Sequence, residues 1–339
     1  MPIALPPLEG VGGRLNSFSA VFPGFEKDES KCIHLVNQQF NLQSHTVTPT
    51  AEDFVNDFDK LLYHQEEPFQ SSSIYAQYKV YELAKQQGVT VLLDGQGADE
   101  ILGGYTKYYH WYWQQLVSSF QFKKLSKEIK AAIANGNRID WSFKNYAAAF
   151  LPSTAAKKLQ QQLIYSVQQN SFLTKDFIEA NFDKYTFEKP VIKSLNDILY
   201  YNTFQNGLED LLRYADRNSM AHSREVRLPF LSHELVEYIF KFSADYKIQN
   251  GFTKHLLRLA MHSFLPKEIV WRKDKVGFEP PQQQWMQHKH IQEQIVESKK
   301  KLVAKGIIEK QSLNLSVQTK AAHDANNIDW WILCAGSMV

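Results

Sequence analysis

Residues Val89–Tyr109 read VTVLLDGQGADEILGGYTKYY. The apolar run Val89–Leu93 predicts a strand buried on both faces, of the kind found inside a parallel sheet. It ends abruptly in a turn that sets Asp94, Asp99 and Glu100 around Gly95 and Gly97. In open α/β sheets, ligands gather outside the carboxyl ends of the parallel strands. The two glycines would let backbone N–H groups approach an anion, and a helix opening near Asp99 would add the positive end of its dipole. Asp99 and Glu100 would repel a bare phosphate. A Mg²⁺ between them removes the conflict, because that ion takes carboxylate and phosphate oxygens together. The plain alternative is a tight turn whose acids only cap the next helix. The pair Gly103-Gly104 speaks against it, since in the first turns of a helix each glycine costs about 1 kcal/mol relative to alanine.

Upstream of this stretch, strands and helices alternate. FSAVFPGF (18–25) is a β-rich run stopped by Pro23-Gly24. DESKCIHLVNQQF (28–40) carries Cys32, Ile33, Leu35, Val36 and Phe40 at near-helical spacing, with Asp28 or Ser30 as N-cap. SHTVTPT (44–50) is a short strand, and AEDFVNDFDKLLYHQ (51–65) is an amphipathic helix. SIYAQYKVYELAKQQG (73–88) is a further helix, closed by Gly88. The alternation predicts an α/β fold with a doubly wound, mainly parallel sheet. Residues 1–17 read as an irregular lead-in and 18–110 as a nucleotide-binding α/β part. Residues 111–339, rich in Leu, Lys, Gln and aromatics, read as a mainly helical part that completes the unit.

Bulk composition narrows the function classes. The chain has 339 residues, 44% hydrophobic and 22% charged, with a formal net charge of +2. That is ample for a core, and too neutral to argue for nucleic acid or an anionic membrane surface. Its two cysteines, Cys32 and Cys334, form no C-x-x-C pair, which argues against a zinc site or disulfide framework. A reducing, cytoplasmic setting fits this usage, and Cys32 reads as a core residue of its helix. Met1–Arg14, broken by prolines and glycines, does not read as a signal peptide. No apolar run is long enough to cross a bilayer.

LLDGQGADEILGGY (92–105) resembles the signature of the synthetase, or ATP-pyrophosphatase, domain of glutamine-hydrolysing asparagine synthetases. DRNSMAHSREVRLPFLSHELVEY (216–238) is similar to a second block of that family, and GFTKHLLRLAMHSFLPKEIVWRKDKVGFEPP (251–281) to a third. YHQEEPF (63–69) matches a shorter acidic block. In order and spacing these cover most of residues 18–281.

The resemblance implies an adenine nucleotide alpha-hydrolase-like fold. It also implies adenylation of the aspartate side-chain carboxylate by ATP, then displacement of AMP by ammonia. Carried over residue by residue, it implies Mg²⁺ held against the pyrophosphate by Asp99, with Glu100 shaping the same turn. Lys254 would neutralise the crowded α-phosphate, as a compact ammonium can. Leu93, Asp94, Gly95, Gly97 and Lys275 would line the nucleotide, with Gly277 and Phe278 in the same loop as Lys275. Gln96 stands where other members carry a glutamate proposed to handle protons; an amide can hydrogen-bond but not take that proton. The implied partners are small molecules (ATP, aspartate, ammonia), with a separate glutaminase as one ammonia source and a homodimer left open.

Each residue has a plainer reading. Lys254 could be a solvated lysine of the run Phe252–Phe264. Asp216, Arg217, Arg224 and Arg227 could form structural ion pairs. Ser219, Met220 and Ala221 would pack, and His222 and His255 would be ordinary polar residues.

Two departures from the family stand out. Pro2 comes after Met1, where the family's glutaminase half begins with a nucleophilic cysteine, and the phosphate-gripping loop S-G-G-x-D-S has no match. The nearest stretch, VGGRLNS (11–17), puts Asn16 in the acid's place and runs straight into the next strand, with no room for the crossover a parallel sheet needs. The expectation is a family domain truncated at its amino end, or a chain whose start was lost or miscoded. Losing such a loop removes about 4.5 kcal/mol of charge-assisted hydrogen bonds, over a thousandfold in affinity, so the isolated chain should bind ATP poorly. Two alternatives remain: an amidoligase acting on another carboxylate, and a non-catalytic nucleotide-fold module that pairs with a partner.

Overall fold

The computed structural model describes residues 15–185, 187–324 and 326–339. Its strands form two parallel pairs, β1 (Asn16–Ala20) with β2 (Gln43–Val47), and β3 (Val91–Leu93) with β4 (Glu225–Arg227). The connections are helical: α1 (Ser30–Gln39), then α2 (Ala51–Gln65) and α3 (Ser73–Gln86), as a doubly wound α/β fold requires. Most of the chain beyond β3 is helix, so the expected fold class holds. Strand β4 comes from within residues 111–339 and pairs with β3, so the helical stretch shares a sheet with the α/β stretch.

Local chemistry accounts for the elements. Helix α2 opens on a capping box in which the Thr50 hydroxyl accepts from the Asp53 N–H and the Asp53 carboxylate accepts from the Thr50 N–H. Phe54, Phe58, Leu61, Leu62 and Gln65 then fall on one buried face. Helix α3 stops at Gln87, and Gly88, at φ +72°, donates to the Lys85 carbonyl just beyond it.

Several expectations need correction. β1 begins at Asn16, so Asn16 and Ser17 are strand residues and not lead-in; residues 1–14, and with them most of VGGRLNS, lie outside the described residues. Helix α1 is capped at Glu29, one residue from either expected cap, because Asp28 is spent accepting the Phe22 N–H. That helix buries none of its residues, and Cys32 is only half-buried. Most consequential is β3. It spans only Val91–Leu93, and Leu93 is 75% exposed. An all-apolar strand is thus uncovered on one face.

Three apolar clusters hold the described residues together. The largest joins Phe54, Phe58 and Tyr75 to Trp285, Trp330 and the buried Cys334. A second gathers Tyr108, Tyr109, Tyr112 and Trp113 of α5 (Tyr108–Ser118), the helix after α4 (Ala98–Leu102), with Leu195 and Leu199. The third is small and sets the site. Ile101 and Leu102 of α4 pack on Val236 and Ile239, with Leu256 and Leu257 against them.

Candidate active site

The turn after β3 is built by two glycines in the left-handed region. Gly97 at φ +89° caps the start of α4, and a Cβ there would sit 2.3 Å from Leu231 Cδ2. Gly103, at φ +70°, ends the helix, and the Gly104 N–H donates to the Asp99 carbonyl at 2.8 Å. Gly103-Gly104 therefore closes a one-turn helix and does not lie in the first turns of a longer one. Gly104 is also a matter of space. A Cβ there would fall 1.7 Å from Asp99 Oδ1 and 2.4 Å from Lys254 Cε.

Through that opening Asp99 meets two lysines. Its Oδ1 accepts from Lys254 Nζ at 3.0 Å and from Lys275 Nζ at 2.8 Å. Lys275 also stands 4.0 Å from the centre of the Tyr105 ring, in cation–π contact. Lys254 is not a solvated helix-face lysine. It caps the helix His255–Met261 with φ +51°, an unusual backbone for a side-chain-bearing residue. Packing of Leu256 and Leu257 against α4 brings that cap to Asp99. Burial would raise the Asp99 carboxyl, but the two ammonium groups outweigh it and hold it below the ordinary range. For Lys275 the balance is reversed, since burial and the like charge of Lys254 lower its pKa despite Asp99. The triad thus favours the carboxylate at the expense of Lys275, with two positive charges set against one negative.

The other residues of the turn have different partners. Glu100, 4% exposed, accepts the Tyr105 hydroxyl at 2.6 Å, so it serves the turn while Asp99 faces the lysines. Asp94 accepts the Tyr81 hydroxyl at 3.2 Å. Gln96 has a buried Oε1 without a partner among the described residues. Asp94, Gly95, Gln96, Gly97, Asp99 and Glu100 line a cleft of about 1040 Å³, with Leu93, Gly277 and Phe278 on other walls. Asp99, Lys254 and Lys275 line a second, smaller pocket of about 310 Å³, so Asp99 stands between the two. Sequence reasoning misses Tyr81 and Tyr105. Tyr105 directly succeeds the Gly-Gly pair, which is the one signal that could point to it.

Residues outside the turn sort less evenly. Arg217 pairs with Glu66 at 3.1 Å, Arg227 with Glu225 at 2.7 Å, and Arg224 donates to the Val89 carbonyl at 2.7 Å, which are structural roles. Ser219 is buried as expected, but Met220 is 61% exposed. His222 is not an ordinary polar residue: burial beside Tyr78 pushes its pKa down to about 4.

The residues present suit a phosphate with its Mg²⁺. That ion uses one or two carboxylates and fills its shell with phosphate oxygens and water. Asp99 offers one carboxylate, and the paired ammonium groups offer the charge a polyphosphate needs. Among the described residues, no three His, Cys, Asp or Glu side chains converge as a closed metal site.

Comparison with known proteins places the chain in a family. The family model Asparagine synthase matches residues 7–338. The chain belongs to the asparagine synthase family. An asparagine synthetase [glutamine-hydrolyzing] 1 of Bacillus subtilis is 27% identical over 260 residues, which cover 70% of this chain and 38% of that protein. The mouse asparagine synthetase [glutamine-hydrolyzing] is 47% identical over 68 residues, 19% of this chain and 12% of its own length. A putative asparagine synthetase [glutamine-hydrolyzing] 2 of Methanocaldococcus jannaschii is 37% identical over 99 residues, 29% of this chain and 19% of its own. The chain therefore spans less than two-fifths of the length of these relatives. No helix among the described residues is long and apolar enough to cross a membrane.

Proposed function

We propose that this chain supplies the synthetase site of an asparagine synthase, activating the side-chain carboxylate of aspartate with ATP and passing it to ammonia. The observation that carries the reading is the Asp99–Lys254–Lys275 triad at a glycine-built strand end, which lines a pocket of about 310 Å³ and through Asp99 borders a cleft of about 1040 Å³. In the first step a carboxylate oxygen attacks the α-phosphorus, the bond to the bridging oxygen breaks, and pyrophosphate leaves. In the second, ammonia attacks the acyl carbon, AMP departs, and the nitrogen sheds a proton.

Mg²⁺, when bound, screens the charge of the leaving diphosphate, and Asp99 is the carboxylate placed to hold it. Lys254 donates to the α-phosphate oxygens as charge builds there, and Lys275 to the diphosphate. Both are held ready by Asp99, so little reorganisation accompanies the reaction. Leu93, Asp94, Gly95 and Gly97 form the nucleotide wall, where backbone N–H groups of the turn can meet phosphate oxygens. Gln96 hydrogen-bonds the ammonia or the acyl group, and the proton goes to solvent or phosphate because an amide cannot accept it. Glu100 fixes Tyr105, and with it the ring under Lys275.

We take residues 18–110 and 111–339 as the nucleotide and helical parts of one unit. The free Cys32 and Cys334 support a cytoplasmic setting. The deciding experiment is pyrophosphate release from Mg-ATP with a panel of carboxylates. Release with aspartate alone supports the reading; release with another acid assigns the chain to a different amidoligase. Silence with every acid, together with absent ATP binding, supports a non-catalytic module. The 75% exposure of Leu93, in a strand that reads as interior, favours that last reading.

A further inference from the structure

The stretch KHLLRLAM (254–261) sets Leu257, Arg258 and Met261 three, four and seven residues after Lys254, so they follow it along one face of the helix His255–Met261. Leu265 continues that wall, since its N–H donates to the Met261 carbonyl at 3.0 Å. Ile269 and Val270 of the short helix Lys267–Val270, and Val276 beside Lys275, complete the lining. Together they enclose the pocket of about 310 Å³ that reaches Asp99 at one end.

This pocket has two chemistries. Leu257, Met261, Leu265, Ile269 and Val276 are only half-buried. Apolar side chains that line an open space have burial still to gain, and an apolar ligand supplies it. The polar groups are unequal. Arg272 is taken up by Glu29 at 2.6 Å and Asp274 at 2.8 Å. Arg258 spends N–H groups on the carbonyls of Thr253, at 2.8 Å, and Arg272, at 3.0 Å. The lysines keep donors in hand. Lys254 gives an N–H to Asp99 Oδ1; Lys275 gives one to the same oxygen and a long one, at 3.4 Å, to the Gly104 carbonyl. An ammonium has three donors, so each lysine retains at least one. The triad also carries one positive charge in excess.

We infer that this pocket binds a small monocarboxylate with an apolar tail, its head on Lys254 and Lys275 and its tail against Leu257, Met261 and Ile269. A carboxylate supplies the single negative charge that the triad lacks and accepts the spare lysine N–H groups. Asp99 repels the head but is outnumbered by the two lysines. Aspartate does not suit the pocket, because its ammonium and second carboxylate would meet apolar walls without partners. The seven steps from Lys254 to Met261 cover about 10 Å of helix, which sets a tail of about six to eight carbons. Such a ligand occupies the lysines that the proposed reaction turns on phosphate, so it opposes nucleotide binding. That consequence rests on the reaction proposed above; the binding does not.

The test titrates the full chain, without nucleotide, with the sodium salts of straight-chain acids from butanoate to decanoate, read by calorimetry. We expect one saturable site whose affinity rises about threefold to fourfold per added methylene, the return for burying a CH₂ group, and levels off at the length of the pocket. Octanedioate, charged at both ends, and 1-octanol, with no charged head, should each bind at least about tenfold more weakly than octanoate. Lys275→Gln should weaken octanoate by about tenfold, as loss of a charge-assisted contact does. Met261→Glu puts a like charge in the tail's path and should abolish binding. If that variant does not fold, Val276→Asp, outside the helix, serves instead. Four results would each overturn the inference: no saturable binding below the concentration at which the acid self-associates, affinity indifferent to tail length, octanedioate equal to octanoate, or binding that survives the lysine or the pocket substitutions. Because no nucleotide is present, a failed pyrophosphate assay leaves the inference untouched, and a failed titration leaves that assay's result standing.

Discussion

Asp99 shows how a single side chain can bear more than its own weight. Replacing it with asparagine removes the only negative member of the triad and leaves Lys254 and Lys275 facing each other. For this partly exposed cluster we expect a loss of about 1–2 kcal/mol in stability, measured by urea unfolding, between the values for surface and buried pairs. The sign with pH comes from the direction of the shift. The folded carboxyl lies below its ordinary value of 3.8, so the pairing contributes fully above that value and is lost as pH falls through the folded one. The difference between wild type and Asp99→Asn should stay flat at neutral pH and close below about pH 4. His222 gives a test of the same sign in a higher pH window. Its folded pKa of about 4 lies under the ordinary 6.5, so the buried neutral ring loses stability as pH falls through that window. The loss amounts to up to about 3 kcal/mol, and His222→Phe should flatten the acid side of the stability profile.

At the level of elements, α4 is the piece that turns sequence into a site. It has five residues, too few to persist alone, and is held by glycines at both ends and by Ile101 and Leu102 beneath. Ile101 is fully buried. Ile101→Ala should cost about 2–5 kcal/mol, and should weaken catalysis, if the proposed reaction holds, by letting the Asp99 backbone drift from Lys254. Gly104→Ala separates space from stability: its methyl group has no room beside Asp99 and Lys254. We expect it to displace the triad and cut pyrophosphate release at least about a hundredfold, as a small misplacement of reacting groups can do.

Across the whole molecule, the legible and the illegible parts divide by range. The helices α2 and α3, the turn at Asp94–Gly97 and the start of α4 near Asp99 could be read because capping, periodicity and glycine punctuation are local. The left-handed cap at Lys254 could not, since nothing in TKHLLR marks it, and the exposure of Leu93 contradicted a run that reads as interior. Affinity for ATP is a property at this scale too. With Leu93 of the nucleotide wall 75% exposed, isothermal titration of the chain with Mg-ATP should show binding weaker than micromolar.

Sequence alone determined the alternation of strand and helix, the glycine-built turn and the resemblance to one family, because each is written in neighbouring residues. Only tertiary structure decided that Lys275 reaches an acid 176 positions away, and that β3 takes its partner strand from Glu225–Arg227. Both depend on which helices pack together, and packing is settled by the whole core at once.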